Sequence, residues 1–372
     1  MALTLYVDGP RWRAHLDRVV AGHPGIVPVV KGNGYGFGLA CLLAECARLA
    51  GAGVAMVAVG TYAEAPVALA GFPGDVLVLE PYRGAVHGAG GDAGGRDAAD
   101  RGGAGGGDDG GGAGGGALRA PALVHTVTSG AELDRLVGVL HRPRVVLEAL
   151  TSMNRHGMAR SELRDCVAAL RSGRSDAELV GVTLHLPLGT GHVEEVEHWL
   201  AAVEVPRWFL SHVSWEELAL LRGRHPQLEL RPRVGTVLWL GDEGALQVRA
   251  HVMDVRPVLS GARAGYRQRR LGGGHLLVVS GGTAHGVALE APSAAATPRQ
   301  RAIALAEGVL EAAGRVRSPF VVAGRSTRFV EPPHMQVSLV TLPEGAAVPA
   351  VGDEVRVRVR HTTVHPDAVV IS

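Results

Sequence analysis

The sequence predicts a (β/α)8 barrel followed by a smaller, mostly-β domain, and three observations carry that expectation. From residue 26 to about 235, short β-rich runs alternate with segments of helical apolar spacing, giving about eight repeats. After residue 240 the alternation gives way to β runs separated by Gly and Pro turns. A length of 372 residues accommodates one large domain and one smaller.

The candidate strands are IVPVVK (26–31), VAMVAV (54–59), DVLVLE (75–80), ALVHTV (122–127), RVVLEAL (144–150), VGVTLHL (180–186), WFLSHV (208–213) and LELRPRV (228–234). Between them, CLLAECARLA, SGAELDRLVGVL, SELRDCVAALRS, HVEEVEHWLAAV and SWEELALLRGR have helical spacing, often after a Ser or Thr suited to capping. An open doubly wound sheet fits the same strand count, and counting alone does not separate the two. Residues 1–240 are therefore assigned to the barrel domain and 241–372 to the β-rich domain, which the opening strand at residues 3–8 could join. In the second domain one stretch, RQRAIALAEGVLEAAG, is helical in pattern. Residues 86–117 are Gly-rich and almost free of large apolar side chains. Such a segment buries too little to offset its ordering entropy, so a disordered insert is expected there.

Composition excludes several function classes. A net charge of +1 without any basic tract offers nothing for nucleic acid. No apolar run is long enough to span a bilayer, and the opening MALTLYVDGPRWR lacks a signal-peptide layout. Cys41, Cys46 and Cys166 lie in helix-like stretches without metal-ligand spacing, as expected of reduced thiols in a cytoplasmic protein with no metal site.

The most informative residue is a lysine. Of 37 basic residues, Lys31 alone is not arginine. Arginine keeps its proton and is a poor amine nucleophile, whereas a desolvated lysine can form an imine. Lys31 ends the first candidate strand, where barrel enzymes place catalytic groups, and a glycine-rich turn follows it. Chance survival of one lysine is the alternative; its position within the most unusual local motif of the chain favours function.

That motif, VVKGNGYGFG, resembles the cofactor-lysine segment of alanine racemases and their fold type III pyridoxal-phosphate relatives, whose form is close to VVKANAYGHG. The resemblance covers nearly the whole chain apart from the Gly-rich insert and the far C-terminus. It implies pyridoxal 5'-phosphate bound to Lys31 as a Schiff base, with Lys31 as one catalytic base and Tyr35 at the cofactor phosphate. Phe37 replaces the family's histidine. LEALTSMNRHG is similar to the family's KVDTGMGRLG, which puts Arg155 at the substrate carboxylate and Glu148 where the family often has a carbamylated lysine. His185 in VTLHLPL matches a strand-end histidine that stacks on the cofactor, and Ser214 in SHVSWEEL matches a phosphate-binding serine. RPRVGTVLWLG resembles VRFGIAMYG, placing Arg233 at the pyridine nitrogen and the Gly235 and Thr236 amides at the phosphate. A permanent cation there opposes protonation of the ring and favours proton transfer over decarboxylation. RAGYRQ resembles the SYG motif, whose tyrosine crosses a dimer interface. This implies a homodimer with shared active sites and Tyr266 as the second base.

From the residues themselves, alternatives stay open: Arg155 as a loop arginine, His185 as a buried structural histidine, Ser214 as a helix N-cap and Tyr266 as a strand tyrosine. The sequence also departs from the family. GYADG appears as GGTAHG (281–286), CMDQ appears as HMQV with Met335 retained for substrate contact, and no tyrosine follows Tyr266. A wider mouth is expected, with His285 and His334 as candidates for its rim. The leading expectation is a racemase of alanine or another small amino acid. The alternatives are another pyridoxal-phosphate reaction on a larger amino acid (elimination, aldol cleavage or decarboxylation) and a non-catalytic cofactor-binding protein.

Overall fold

The computed structural model describes residues 2–87, 118–289, 299, 302 and 316–372. The chain divides into two compact units that interleave in sequence. One comprises residues 16–32 and 39–239, the other residues 1–15, 33–38 and 240–372. Before the repeats come β1 (Leu3–Val7) and α1 (Gly9–Gly22).

The first unit is a near-closed parallel barrel. Its strands are β2 (Val27–Pro28), β3 (Met56–Val59), β4 (Asp75–Pro81), β5 (Leu123–Val127), β6 (Arg144–Ala149), β7 (Glu178–His185), β8 (Arg207–Ser211) and β9 (Glu229–Val234). They run in the order β2-β9-β8-β7-β6-β5-β4-β3. A single parallel bridge, Val29 to Ala58, joins the two ends, with the Val30 amide donating to the Ala58 carbonyl at 2.7 Å. This pattern is the barrel of the first expectation, not the open sheet.

Most of the barrel strands are apolar runs because both faces are covered. Val27, Val29, Met56, Ala58, Leu77, Val124, Val146, Val180 and Phe209 form one buried cluster. The opposite faces of the strands join the helices in a larger cluster that includes Leu147, Leu184, Trp199 and Trp208. The expected strand 26–31 shortens to two residues in β2. Pro28 has no N–H to offer a ladder, and only Val27 and Pro28 pair in register with β9.

Between the strands lie α2 (Leu39–Ala50), α3 (Ala65–Gly71), α4 (Gly84–His87), α5 (Gly130–Val139), α6 (Arg160–Arg171), α7 (Val193–Leu200) and α8 (Trp215–Arg224); α9 (Thr236–Leu240) follows β9. Ser129 caps α5 by accepting the Glu132 amide, and Ser214 caps α8 in a reciprocal box with Glu217. The expected disordered insert at 86–117 needs correction at its start, where Val86 and His87 complete α4. The rest of it, 88–117, lies outside the described residues. So does the predicted helix 299–314, apart from Arg299 and Ala302, which are helical.

The second unit is an eight-stranded sheet of β1 with β10 (Leu246–Ala264), β11 (Arg269–Ser280), β12 (Arg317–Val322), β13 (Arg325–Phe329), β14 (Val337–Leu342), β15 (Glu354–Val357) and β16 (Ala368–Ile371). β1 pairs antiparallel with β10 and parallel with β16; the remaining pairs are antiparallel. The GNGYGFG loop contributes to this unit: the Asn33 side-chain amide donates to the carbonyls of His361 and Val364 at 2.9 and 2.6 Å. Cys46 and Cys166 are buried, Cys41 is partly so, and all three are free thiols. Among the described residues no helix is long and apolar enough to cross a membrane.

Candidate active site

In a parallel barrel the C-terminal strand ends share one face, and the loops there hold the functional side chains. Lys31 follows β2 at this face. Its backbone is pinned by a residue that sequence reasoning missed. Glu64 accepts the amides of Gly32 (2.7 Å), Gly60 (2.6 Å) and Thr61 (3.2 Å), so one carboxylate ties the turn after Lys31 to the end of β3. Gly60 makes room for the pair, since a Cβ there would lie 3.0 Å from both the Lys31 Cβ and a Glu64 oxygen. Lys31 is open to solvent but lined by protein. Partial desolvation, then the charges of Arg233 and Arg155, push its pKa below the ordinary lysine value, with Glu64 opposing. A larger neutral fraction makes a better amine nucleophile.

Arg233 occupies β9 beside β2, paired in register with Val27, and is almost fully buried. Its Nη2 donates to Ser211 Oγ at 2.7 Å and lies 3.4 Å from both the Leu184 carbonyl and His185 Nδ1. Its Nε has no hydrogen-bond partner. Burial lowers the Arg233 pKa, with Glu148 opposing, but a guanidinium remains charged at neutral pH. His185 ends β7; its Nδ1 lies 2.8 Å from Ser211 Oγ, and its ring is 5.1 Å from that of His212. Burial and then Arg233, Arg155, His212 and Lys31 depress its pKa to about 3, so the ring is neutral. The serine that bonds this pair, Ser211, is one that sequence reasoning missed. Ser214 caps α8, its hydroxyl accepting the Glu217 amide at 3.2 Å. Gly235 and Thr236 lie directly after β9, at the start of α9.

Glu148 and Arg155 are brought together by the loop after β6. The Met158 amide donates to the Glu148 carbonyl at 2.8 Å, and the Leu150 amide to the Met158 carbonyl at 2.9 Å. This folds Thr151–Gly157 back over the strand end. Gly157 is required at the crossing: its φ is 136°, and a Cβ would lie 2.5 Å from the Ala149 backbone. Glu148 is buried, with Oε1 3.4 Å from His156 Nδ1 and 4.0 Å from Arg155 Nη2. Burial raises its pKa to about 7 against the pull of Arg233 and Arg155. The Arg155 guanidinium is half-exposed at the mouth, free to meet an anionic ligand.

The remaining predicted residues belong to the β unit. Tyr35 is buried in left-handed backbone at φ 56°, an uncommon state for so large a side chain. Tyr266 lies at the tip between β10 and β11 and is 85% exposed; Met335 is also exposed. His285 is not a rim residue. It is buried, its Nδ1 accepts the Gly282 amide, and its Nε2 lies 3.1 Å from Asp367.

The depressed imidazoles give a pH dependence of folding. His185 at about 3, and His156 and His125 at about 4, are all lowered chiefly by burial. As pH falls below the unfolded value of about 6.5, the unfolded chain takes up protons that the native state refuses, so stability drops. Glu148 acts oppositely, because the native state retains its proton up to about 7. Three histidines outweigh one carboxyl. The urea midpoint should be lower at pH 5 than at pH 7.5; a higher midpoint at pH 5 would contradict these shifts.

Comparison with solved structures decides what this architecture is. The chain superposes on the biosynthetic alanine racemase of Pseudomonas aeruginosa with a TM-score of 0.62 and 20% identity, covering 97% of this chain and 91% of that one. The alanine racemase of Bartonella henselae with covalently bound pyridoxal phosphate gives 0.64 and 17%, with the same coverage. That of E. faecalis gives 0.63 and 18%, covering 95% and 88%. The fold is that of alanine racemases. No family model matches the chain, and no curated protein matches it by sequence. At these identities the likeness is one of fold, so chemistry must be argued from the residues at the mouth of this alanine racemase-like barrel.

Proposed function

We propose that this chain is a pyridoxal-phosphate-dependent racemase of alanine or another small amino acid, active as a homodimer. The observation that carries the reading is the pairing of Lys31, its charged form disfavoured, with Arg233, a buried cation that keeps an unused donor at Nε. A buried N–H without a partner is rare and costly, and an unprotonated ring nitrogen is an acceptor that would satisfy it. The residues present therefore fit the cofactor. When bound, pyridoxal phosphate withdraws electrons from the attached amino acid and so acidifies its Cα proton.

Lys31 would hold the cofactor and move the Cα proton on one face. Tyr266 of the partner subunit would serve the other face, as inversion requires. Arg155 would bind the substrate carboxylate, oriented by Glu148, and Met335 would border the substrate. Ser211 and the neutral His185 fix the Arg233 guanidinium, and His185 also offers a flat face to an aromatic ring. Tyr35, Ser214, Gly235 and Thr236 would receive the phosphate, helped by backbone amides at helix starts. Arg233 is permanently cationic and cannot donate a proton to the ring nitrogen. Electron withdrawal is thereby limited, which favours reversible proton transfer over loss of carbon dioxide.

The test is to record the visible spectrum with pyridoxal phosphate and incubate the protein with a panel of L-amino acids, followed by chiral analysis. A cofactor band together with D-product supports the reading and names the substrate. A band without D-product from any amino acid would reject racemisation, and no band would reject the cofactor as well.

A further inference from the structure

The β unit carries a second constellation of polar groups, centred on Tyr266. The turn between β10 and β11 is Gly265–Gln268, closed by the Gln268 amide donating to the Gly265 carbonyl at 3.2 Å. The Glu331 carboxylate is seated under this turn and is only 5% exposed. Its Oε1 accepts the Tyr266 amide at 3.2 Å, and its Oε2 accepts the Arg267 amide at 3.4 Å. Gly265, at φ 79°, admits it: a Cβ there would lie 2.4 Å from the carboxylate. Oε1 also lies 2.7 Å from His334 Nε2, and the His334 ring packs on that of Tyr266 with centroids 4.7 Å apart. His334 is itself fixed, its amide donating to Val337 and its carbonyl accepting from Thr283, at 2.9 and 2.8 Å.

We propose that Glu331 and His334 are positioning residues for Tyr266, holding its phenol in one orientation for proton transfer. This inference rests on the two-base reading above. Two turn amides alone would need only the carboxylate. The histidine is what connects that carboxylate to the tyrosine side chain. An 85% exposed tyrosine at a hairpin tip would otherwise sample several rotamers, and each must be given up at the reacting geometry. Here one buried acid orders the tyrosine's backbone directly and its ring through His334. Burial pushes the Glu331 pKa up, but the bonds from His334 and from the Tyr266 and Arg267 amides outweigh it. The Glu331 pKa stays below the ordinary carboxylate value, so the ionised carboxylate is a fixed partner for the imidazole.

The experiment measures solvent-deuterium uptake at Cα in the full-length holoenzyme, starting separately from each enantiomer of the substrate found in the panel. His334→Ala should slow uptake from one enantiomer by about 100-fold, leaving the other within about twofold, the scale of loss from a misplaced catalytic group. The cofactor band should be unchanged. His334→Phe keeps a ring against Tyr266 but loses the bond to Glu331, and should leave uptake from that enantiomer at least about tenfold below the parent; full recovery would remove Glu331 from the positioning pair. Equal loss from both enantiomers, loss of the band, or no loss at all would overturn the inference. Tyr266→Phe in the same assay separates the two levels. A one-sided loss there without one in His334→Ala removes only the positioning pair, whereas no loss in Tyr266→Phe removes the two-base reading and the inference with it.

Discussion

The Lys31→Arg protein is expected to fold normally, acquire no visible band with pyridoxal phosphate, and lose racemisation by on the order of 10⁴-fold or more. Arginine is the substitution that the rest of the chain already uses at all 36 other basic positions. It keeps the positive charge, and because Lys31 is solvent-accessible it adds no buried strain. What it removes is the amine that can be deprotonated, since a guanidinium holds its proton at any working pH. The variant therefore isolates covalent chemistry from electrostatics in a mouth that already contains Arg155 and Arg233. A band in this variant would mean attachment elsewhere in a chain left without lysine, and the proposed role of Lys31 would fall.

Tyr266→Phe is the second large effect. The cofactor band should persist while racemisation falls by about 10²- to 10⁴-fold, the range of a lost general acid–base. Stability should hardly change, because the hydroxyl belongs to a side chain that is 85% exposed in the protomer. The change is thus confined to one oxygen. Parental activity in Tyr266→Phe would exclude the tyrosine from the mechanism, leaving inversion to be explained by one base or by another residue.

The barrel was legible because strands buried on both faces are written as apolar runs, and seven of the eight are close to their predicted spans. The first was not. Its apolar stretch continues through Val30, while the proline at 28 and the closing geometry restrict its ladder to two residues. The GNGYGFG turn was legible as a motif but not as part of the β unit. That membership depends on Asn33 meeting carbonyls 328 and 331 residues away, which no local pattern encodes. Lys31, Glu148, Arg155, His185 and Arg233 were singled out by residue type and resemblance, and Lys31, Glu148 and His185 each lie within electrostatic reach of Arg233 and Arg155. Ser211 was missed because a strand-end serine carries no local signal, whereas Ser214, ahead of a helix, was legible as a cap. Glu64 was hidden because its work is done on backbone amides. His285 was a rim candidate from motif comparison alone, and packing turned it inward.

The barrel closes through one bridge and two laddered residues, and Lys31 stands immediately beyond that seam. Such a junction has few hydrogen bonds to lose, so it opens at a lower free energy than the rest of the barrel. A ligand attached to Lys31 and engaged by Arg233 would bridge β2 and β9 and work against that opening by mass action. On this reading the cofactor is a fastener as well as a reagent: the amide protons of Val27, Val29, Val30 and Lys31 should exchange faster in its absence than in its presence. If the proposed cofactor binds there, its loss would cost the molecule its electron-withdrawing group and the latch of its barrel in a single event.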